Sequence, residues 1–318
     1  MAKEEGTKII AYKGFDKDLK CRGFQYEVGK EYELAKGVEP KLCEQGFHAC
    51  DSPFNVFDYY FLDDNAELAR FCEVEQSGII KKENDCRKNV SSKIKINAEL
   101  KFSDFIKLGI EWIKEKTSQK NVNEDNLSDK DKRNAKIGSS GDSAKIGSSG
   151  YYAQIGSSGY FAKIGSSGYY AKIGSSGYYA QIGSSGDFAK IGSSGDYAKI
   201  GSSGDFAQIG SSGYSAKIGS SGDYAQIGSS GYSAKIGSSG DYAQINSTGN
   251  DSVIMCAGND SIAKAKKGSW ITLAEWHIDT DGRWKPKCVK TEYVDGERIK
   301  EDTWYKLVNG EFTEVIKE

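Results

Sequence analysis

Histidine, methionine and proline are scarce in this 318-residue chain, with two, two and three copies. Two histidines, His48 and His277, leave little material for His-based catalytic sets or His-rich metal sites. No apolar run approaches the ~20 residues a membrane-spanning helix needs, so no membrane partner is expected. An excess of one charge is also missing: 43 Lys and Arg against 45 Asp and Glu give a net charge of −2. The signs are interspersed, which excludes the basic footprint of a nucleic-acid binder. Neither a Gly-Lys-Ser/Thr phosphate loop nor a Gly-x-Ser-x-Gly elbow is present. The opening Met-Ala-Lys-Glu-Glu-Gly lacks the apolar core of an export signal. Seven cysteines, an odd number, then read as reduced thiols, and the expected location is a cytoplasm.

Glycine, by contrast, is abundant, and most of it lies in one repeat. Between Ala135 and about Ala265 the unit Ala-Lys/Gln-Ile-Gly-Ser-Ser-Gly-Asp/Tyr-Tyr/Phe/Ser recurs every nine residues. A short fixed period marks a solenoid. Two glycines per unit exclude a helix, each costing about 1 kcal/mol against Ala. The expected strand is the segment typified by Asp196-Tyr197-Ala198-Lys199-Ile200, closed by a Gly-Ser-Ser-Gly corner whose glycines take positive φ. That alternation points Ala and Ile inward, as in Ala153, Ile155, Ala171, Ile173, Ala189 and Ile191, and sets rings and Lys outside. Sorting by eighteen yields one uniformly aromatic ladder, Tyr152, Tyr170, Phe188, Phe206, Tyr224 and Tyr242. The opposite ladder is mixed: Ser143, Phe161, Tyr179, Tyr197, Ser215 and Ser233. Two strands per coil keep these sets apart and three would mix them. The fold class is therefore a mainly β protein built on a two-sheet β-solenoid, a β-roll of eighteen residues per coil. A coil buries two Ile at about 1.5–3 kcal/mol each, against roughly 1–2 kcal/mol per ordered backbone residue. Coils must then stack, and a bare aromatic stripe exceeds what soluble monomers usually expose. The six-ring ladder is the expected self-association face.

The flanks differ in character. Residues 1–116 read as an α+β domain, with strands expected at Thr7–Tyr12, Gln25–Leu34, Phe71–Val74 and Ile79-Ile80. Ser52-Pro53 is a helix-start signal placing Phe54, Phe57 and Phe61 on one side. A second helix over 103–116, capped by Ser103 and striped with Phe105, Ile106, Ile110 and Ile113, is expected to seal the first coil. Residues 117–134 are a polar linker and 135–267 the solenoid of about seven coils, with Ile254 and Ala263 continuing its core. Residues 268–318 carry strand-like runs at Trp270–Ile278, Val289–Val294, Trp304–Val308 and Phe312–Ile316. Asp281-Gly282, Asp295-Gly296 and Asn309-Gly310 between them mark hairpins, so a β-meander cap is expected.

Cys43, His48 and Cys50 lie close in sequence, but without a Cys-x2-Cys pair they read as structural thiols and a packed histidine rather than a zinc site. Calcium-binding rolls place carboxylates where this chain has Tyr197 or Phe206. No metal, cofactor or catalytic residue is expected. Tyr12-Lys13-Gly14, Gly46-Phe47-His48-Ala49 and Glu73-Val74-Glu75 follow the landmark order of mono-ADP-ribosyltransferases, without that family's Arg or His at the first or Ser-x-Ser at the second. An ADP-ribosyltransferase-like enzyme carried on a solenoid stalk is the alternative reading.

Gly46–Cys50, the Pro53 helix with Val56-Phe57-Asp58-Tyr59-Tyr60, Ser261-Ile262-Ala263 and Leu273-Ala274-Glu275-Trp276 resemble a family of uncharacterised bacteriophage and prophage proteins. The resemblance implies a phage-derived origin and brings no activity. The repeats are loosely similar in fold to the heads of trimeric autotransporter adhesins. Together these readings predict a non-enzymatic structural or interaction protein, homo-oligomeric through its ladder, displaying its N-terminal domain to a host or phage protein.

Overall fold

The computed structural model describes residues 2–3, 8–82, 88–118 and 133–316. Within the repeat, each nonapeptide gives one four-residue strand that pairs in parallel with the strand two units later, Ile146 with Ile164 and Ile155 with Ile173. The eighteen-residue offset builds two parallel sheets facing each other. One runs from Lys136–Ser139 to Ile262–Ala265, the other from Lys145–Ser148 to Trp270–Ile278. Ala and Ile fill the space between them, and Ala153, Ile155, Ala171, Ile173, Ala189 and Ile191 are all fully buried. Ile254 and Ala263 extend this core as expected.

The strand itself is shifted from the expected one. It is Lys/Gln-Ile-Gly-Ser, for example Lys199–Ser202, while Asp196-Tyr197 form the turn. Alternation along Lys-Ile-Gly-Ser points Lys and Gly outward and Ile and Ser inward. The rings therefore sit at the corners between sheets, not on a sheet face. The left-handed residue is also not glycine: Tyr170, Phe188, Phe206, Tyr224 and Tyr242 have φ of 55–57°. None of the repeat glycines has positive φ among the described residues. The turn is closed by hydrogen bonds such as Ala171 N–H to the Gly168 carbonyl at 3.3 Å. A bulky residue in this region costs about 1–3 kcal/mol. The corner recovers it through an inter-coil bond, Phe206 N–H to the Asp223 carbonyl at 2.8 Å, and through ring stacking. Aspartate in the same corner accepts the next coil's N–H, Asp223 N–H on Asp205 Oδ1 at 2.9 Å and Asp241 N–H on Asp223 Oδ1 at 2.8 Å.

The glycines supply room instead. At the corners, a Cβ on Gly195 would overlap the carbonyl of Gly177 one coil earlier, so adjacent coils touch backbone to backbone. In the first sheet the outward glycines form a trough filled by the N-terminal domain. Gly156 meets Ile110, Gly174 meets Phe54, Gly192 meets Ile106, and Gly210 meets Phe61 and Leu68. In the second sheet Gly147, Gly165, Gly183, Gly201 and Gly219 have nothing within 4 Å of a notional Cβ. We call these the covered and open sheets.

This places the N-terminal domain along the roll's flank. The expected end-capping helix is α2, and here it spans Phe102–Ser118 and crosses the outer face of the first four strands of the covered sheet. Its apolar stripe is buried between the glycine trough, which takes Ile106 and Ile110, and its own domain, where Phe105 stacks on Phe71: Phe105, Ile106, Ile110 and Ile113 are at most 1% exposed. The Ser52-Pro53 signal starts only one α-helical turn, α1 (Pro53–Val56), with no side-chain cap bond from Ser52. Phe54, Phe57 and Phe61 still share one side and enter the same apolar cluster. Behind it lies a six-stranded sheet in which Arg70–Lys81 and Asn89–Leu100 are the long partners and Ile9–Phe15 flanks them. The two short runs expected at Phe71–Val74 and Ile79-Ile80 are thus one strand, and its partner, outside the expected strands, carries the alternation Lys93-Ile94-Lys95-Ile96 with both Ile fully buried.

At the far end Trp270–Ile278, expected to begin a separate cap, pairs in parallel with Val253–Cys256 and completes about eight turns rather than seven. Trp284–Tyr293 then pairs antiparallel with it. The hairpin Tyr305–Val308 and Glu311–Glu314 closes the covered sheet against Ala263. Both sheets thus end in antiparallel strands, which blunts edge-to-edge addition. Of the linker expected over 117–134, residues 119–132 lie outside the described residues, as does Cys86.

Candidate functional site

Two regions concentrate accessible chemistry. The first is the corner ladder. Its six rings follow one another at centroid separations of 5.4, 5.2, 4.9, 4.9 and 4.8 Å from Tyr152 to Tyr242. Interplanar angles fall to 4° at Phe188–Phe206 and Phe206–Tyr224, as equivalent positions one coil apart superimpose. Phe206, Tyr224 and Tyr242 remain 43–47% exposed, whereas Tyr152, Tyr170 and Phe188 are half-buried. A groove runs beside the ladder, floored by Lys172, Lys190, Gln208, Gln226 and Gln244 and closed at one end by Asp58. Gln208 donates to Gln226 at 2.9 Å, the start of an amide ladder. Lys172 and Lys190 are tied to the N-terminal domain: Lys172 Nζ lies 2.6 Å from Asp58 and Lys190 donates to the Phe57 carbonyl. Burial lowers the Lys190 pKa, with Asp58 opposing.

The second region is a cleft of about 710 Å³ in the N-terminal domain. Ile9–Phe15, Phe47–Ala49 and the chain after α1 converge on it. Phe15, Tyr26 and Phe47 anchor its wall by burial, and Phe24 leans on Tyr26 and Tyr32 at 4.8 and 5.4 Å. Lys13, only 6% exposed, lies at its base. Its ammonium donates to the His48 carbonyl at 3.0 Å and to Cys21 Sγ at 3.3 Å, with Phe15 and Tyr26 rings 5.4 and 5.6 Å away. The Tyr60 hydroxyl donates to the same sulfur at 3.3 Å. Burial, then the Cys21 contact, pushes Tyr60 well above its ordinary range, so it stays a donor at neutral pH. Gly14 is required here, because a Cβ would lie 2.9 Å from Val56 Cγ1 and press on Tyr60.

His48 Nε2 accepts the Cys43 backbone N–H at 3.0 Å, and its side chain is held at about pKa 4 by burial and then by Lys88, Lys13 and Arg22. It is a neutral residue fixing the loop before it. Cys50 is buried, and burial pushes its thiol up to about 12. Among the described residues no three His, Cys, Asp or Glu side chains are grouped to hold a metal. The landmark segments Tyr12–Gly14 and Gly46–Ala49 line the cleft, whereas Glu73 and Glu75 do not. Glu75 pairs with Lys8 at 2.9 Å and Glu73 accepts from Asn97 at 3.3 Å. Sequence reasoning missed Lys13, Cys21 and Tyr60 as a cluster. Their only signal was an isolated Lys within the apolar strand Ile9–Phe15.

Residues 9–108 match a family described as a domain of unknown function (DUF7666). That span covers the cleft strands and α1, and reaches into the first half of α2. No curated protein and no solved structure matches the chain.

Proposed function

We propose that this β-solenoid protein is a non-enzymatic, phage- or prophage-derived scaffold that self-associates through its corner ladder and presents its N-terminal domain to a protein partner. The continuous stack from Phe206 to Tyr242, left nearly half exposed, carries this reading. Ring pairs contribute about 0.5–1.5 kcal/mol beyond burial, and covering the stripe with a second ladder removes apolar surface at roughly 25 cal/mol per Å². The N-terminal domain is compatible with display, because α2, Phe54 and residues 57–68 make its contact with the roll, while Phe24 and Tyr59 at the cleft rim stay exposed. Six described cysteines are free of disulfides, which fits a reducing cytoplasm, with the bacterial host cell as the expected place.

The test is light scattering on the full chain over a concentration series, comparing wild type with Phe206→Ser/Tyr224→Ser/Tyr242→Ser. Ser already occupies the equivalent corner at Ser215 and Ser233 with the same φ, so the variant retains its turns. Wild type should form a defined oligomer and the variant a smaller species. A wild-type monomer at every concentration removes self-association. Deleting the N-terminal domain is unsuitable here, since it bares the trough and adds a second sticky face. The alternative, an ADP-ribosyltransferase-like enzyme, draws on the two landmark segments sharing one cleft. Against it stands the acidic landmark outside that cleft. Labelled NAD left unconsumed by the full chain would retire it.

A further inference from the structure

The charges around the N-terminal cleft are unevenly satisfied. Three acidic residues line it, and each is paired with a cation: Glu33 with Lys93 at 3.0 Å, Glu44 with Lys41 at 3.8 Å, and Asp58 with Lys172 at 2.6 Å. Three cations line it too, Lys13, Arg22 and Lys88, and none has a carboxylate partner among the described residues. Lys13 is the telling case. Among the described residues its ammonium meets a carbonyl, a thiol and two ring faces, and no anion. That leaves its charge open to an anionic group from solution, for which a charge-assisted hydrogen bond is the strong contact. The cleft wall adds a second requirement, because its accessible surface is aromatic: Phe24 and Tyr59 are 49% and 46% exposed at its rim. Lys88 already lies over the Tyr59 ring at 4.7 Å.

We propose that this cleft binds a small aromatic anion, a planar ring bearing a phosphate or carboxylate, with the anionic group on Lys13 and the ring against the cleft's aromatic side chains. The cleft volume, about 710 Å³, is within the range of small-ligand sites. Arg22 and Lys88, both near the rim, would draw the anion in and make binding fall with salt. His48 stays neutral in this setting and leaves the field positive without competing for a proton. The site requires neither self-association nor catalysis, so it stands or falls separately from the function proposed above.

The experiment is calorimetric titration of the full chain with phenyl phosphate, inorganic phosphate and phenol at low salt. Phenyl phosphate should bind, phosphate alone about tenfold or more weaker, and phenol weaker still. Adenosine monophosphate and phosphotyrosine, run in parallel, decide whether the ring comes from a nucleotide or a phosphoaryl source by which binds tighter. Lys13→Met should weaken phenyl phosphate at least about tenfold while leaving the unliganded fold intact, since it removes a buried charge and keeps the chain's length. If that variant fails to fold, Arg22→Ala/Lys88→Ala, at the rim, should weaken binding severalfold and flatten its salt dependence. Absence of binding for every anionic aromatic, equal affinity for phosphate and phenyl phosphate, or unchanged affinity in the folded variants overturns the proposal.

Discussion

One residue type in two repeat positions is expected to give three different mutational outcomes, which makes glycine the sharpest probe of this architecture. In a strand, Gly costs about 0.5–1 kcal/mol relative to Ala through backbone entropy. On the open sheet a Cβ at Gly183 meets nothing within 4 Å, so Gly183→Ala should stabilise by about that amount. Gly174 occupies the same register on the covered sheet, yet a Cβ there would overlap Cζ of Phe54, a fully buried side chain, and lie 2.8–3.0 Å from two more of its ring carbons. Overpacking of this kind costs about 1–3 kcal/mol. Less the entropic gain, Gly174→Ala should destabilise by about 0.5–2 kcal/mol and loosen the docked domain. At the corner, Gly195→Ala sets a methyl into the Gly177 carbonyl, and backbone cannot step aside as a ring can. The coils must part, and a loss of about 3 kcal/mol or more follows, since the inter-coil bonds around it stretch together. Melting temperature ranks the three, and hydrogen exchange locates the damage, because a repeat array need not unfold in one step. The expected order is Gly183→Ala above wild type, then Gly174→Ala, then Gly195→Ala. Equal shifts for Gly174→Ala and Gly183→Ala would refute the covered and open assignment, and a neutral Gly195→Ala would refute backbone contact between coils.

Asp58→Ala should cost about 3–5 kcal/mol by removing the carboxylate 2.6 Å from Lys172, whose side chain is 2% exposed; adding Lys172→Met should recover most of it in a double-mutant cycle. His48 is held at about pKa 4 in the fold against an ordinary 6.5, so between these values the unfolded chain binds the extra proton. Its contribution is complete above pH 6.5 and is lost as pH falls toward 4; His48→Gln should flatten stability against pH in that window, measured by denaturant midpoint. Thiol labelling should be fast at the exposed Cys43 and slow at Cys50, Cys72 and Cys256, where burial pushes each thiol up to about 12, until denaturant is added. Early labelling of Cys256 would mean that the last coils are open.

The winding of the roll was legible because nine-residue identity leaves few solutions: an Ala-x-Ile pair inside, an eighteen-residue return, and two walls. The ladder of rings followed from the same arithmetic, since residues one coil apart must stack wherever in the unit they fall. Their seat in the turn was not legible. Asp-Tyr-Ala-Lys-Ile and Lys-Ile-Gly-Ser alternate equally well around the shared Ile, and glycine's preference for positive φ points to the wrong pair of residues. What decides is contact between coils: Gly195 must lie flat against Gly177, so the strained dihedral passes to Tyr197, whose ring has stacking to offset it.

Which sheet carries the N-terminal domain is harder still, because the repeat is nearly the same on both. Lys145 and Lys163 on the open sheet have the same neighbours in sequence as Lys172 and Lys190 on the covered one, yet only the latter meet Asp58 and the Phe57 carbonyl. The information lies outside the repeat, in Phe54, Phe61, Ile106 and Ile110, apolar residues too numerous for a small domain to bury alone. Their surplus implies a trough, and a row of outward glycines about 4.8 Å apart is a long surface that can take them. The cleft follows the same logic in reverse. Lys13 is a single charge in an apolar strand, and alternation sets it on the same face as the buried Ala11 and Phe15. Gly14 leaves room for Tyr60, whose hydroxyl reaches Cys21 beside it, and only the three-dimensional tally of paired acids and unpaired cations shows a site there. A function borne by unmatched charge is written in contacts that have not been made, which neighbouring sequence cannot display.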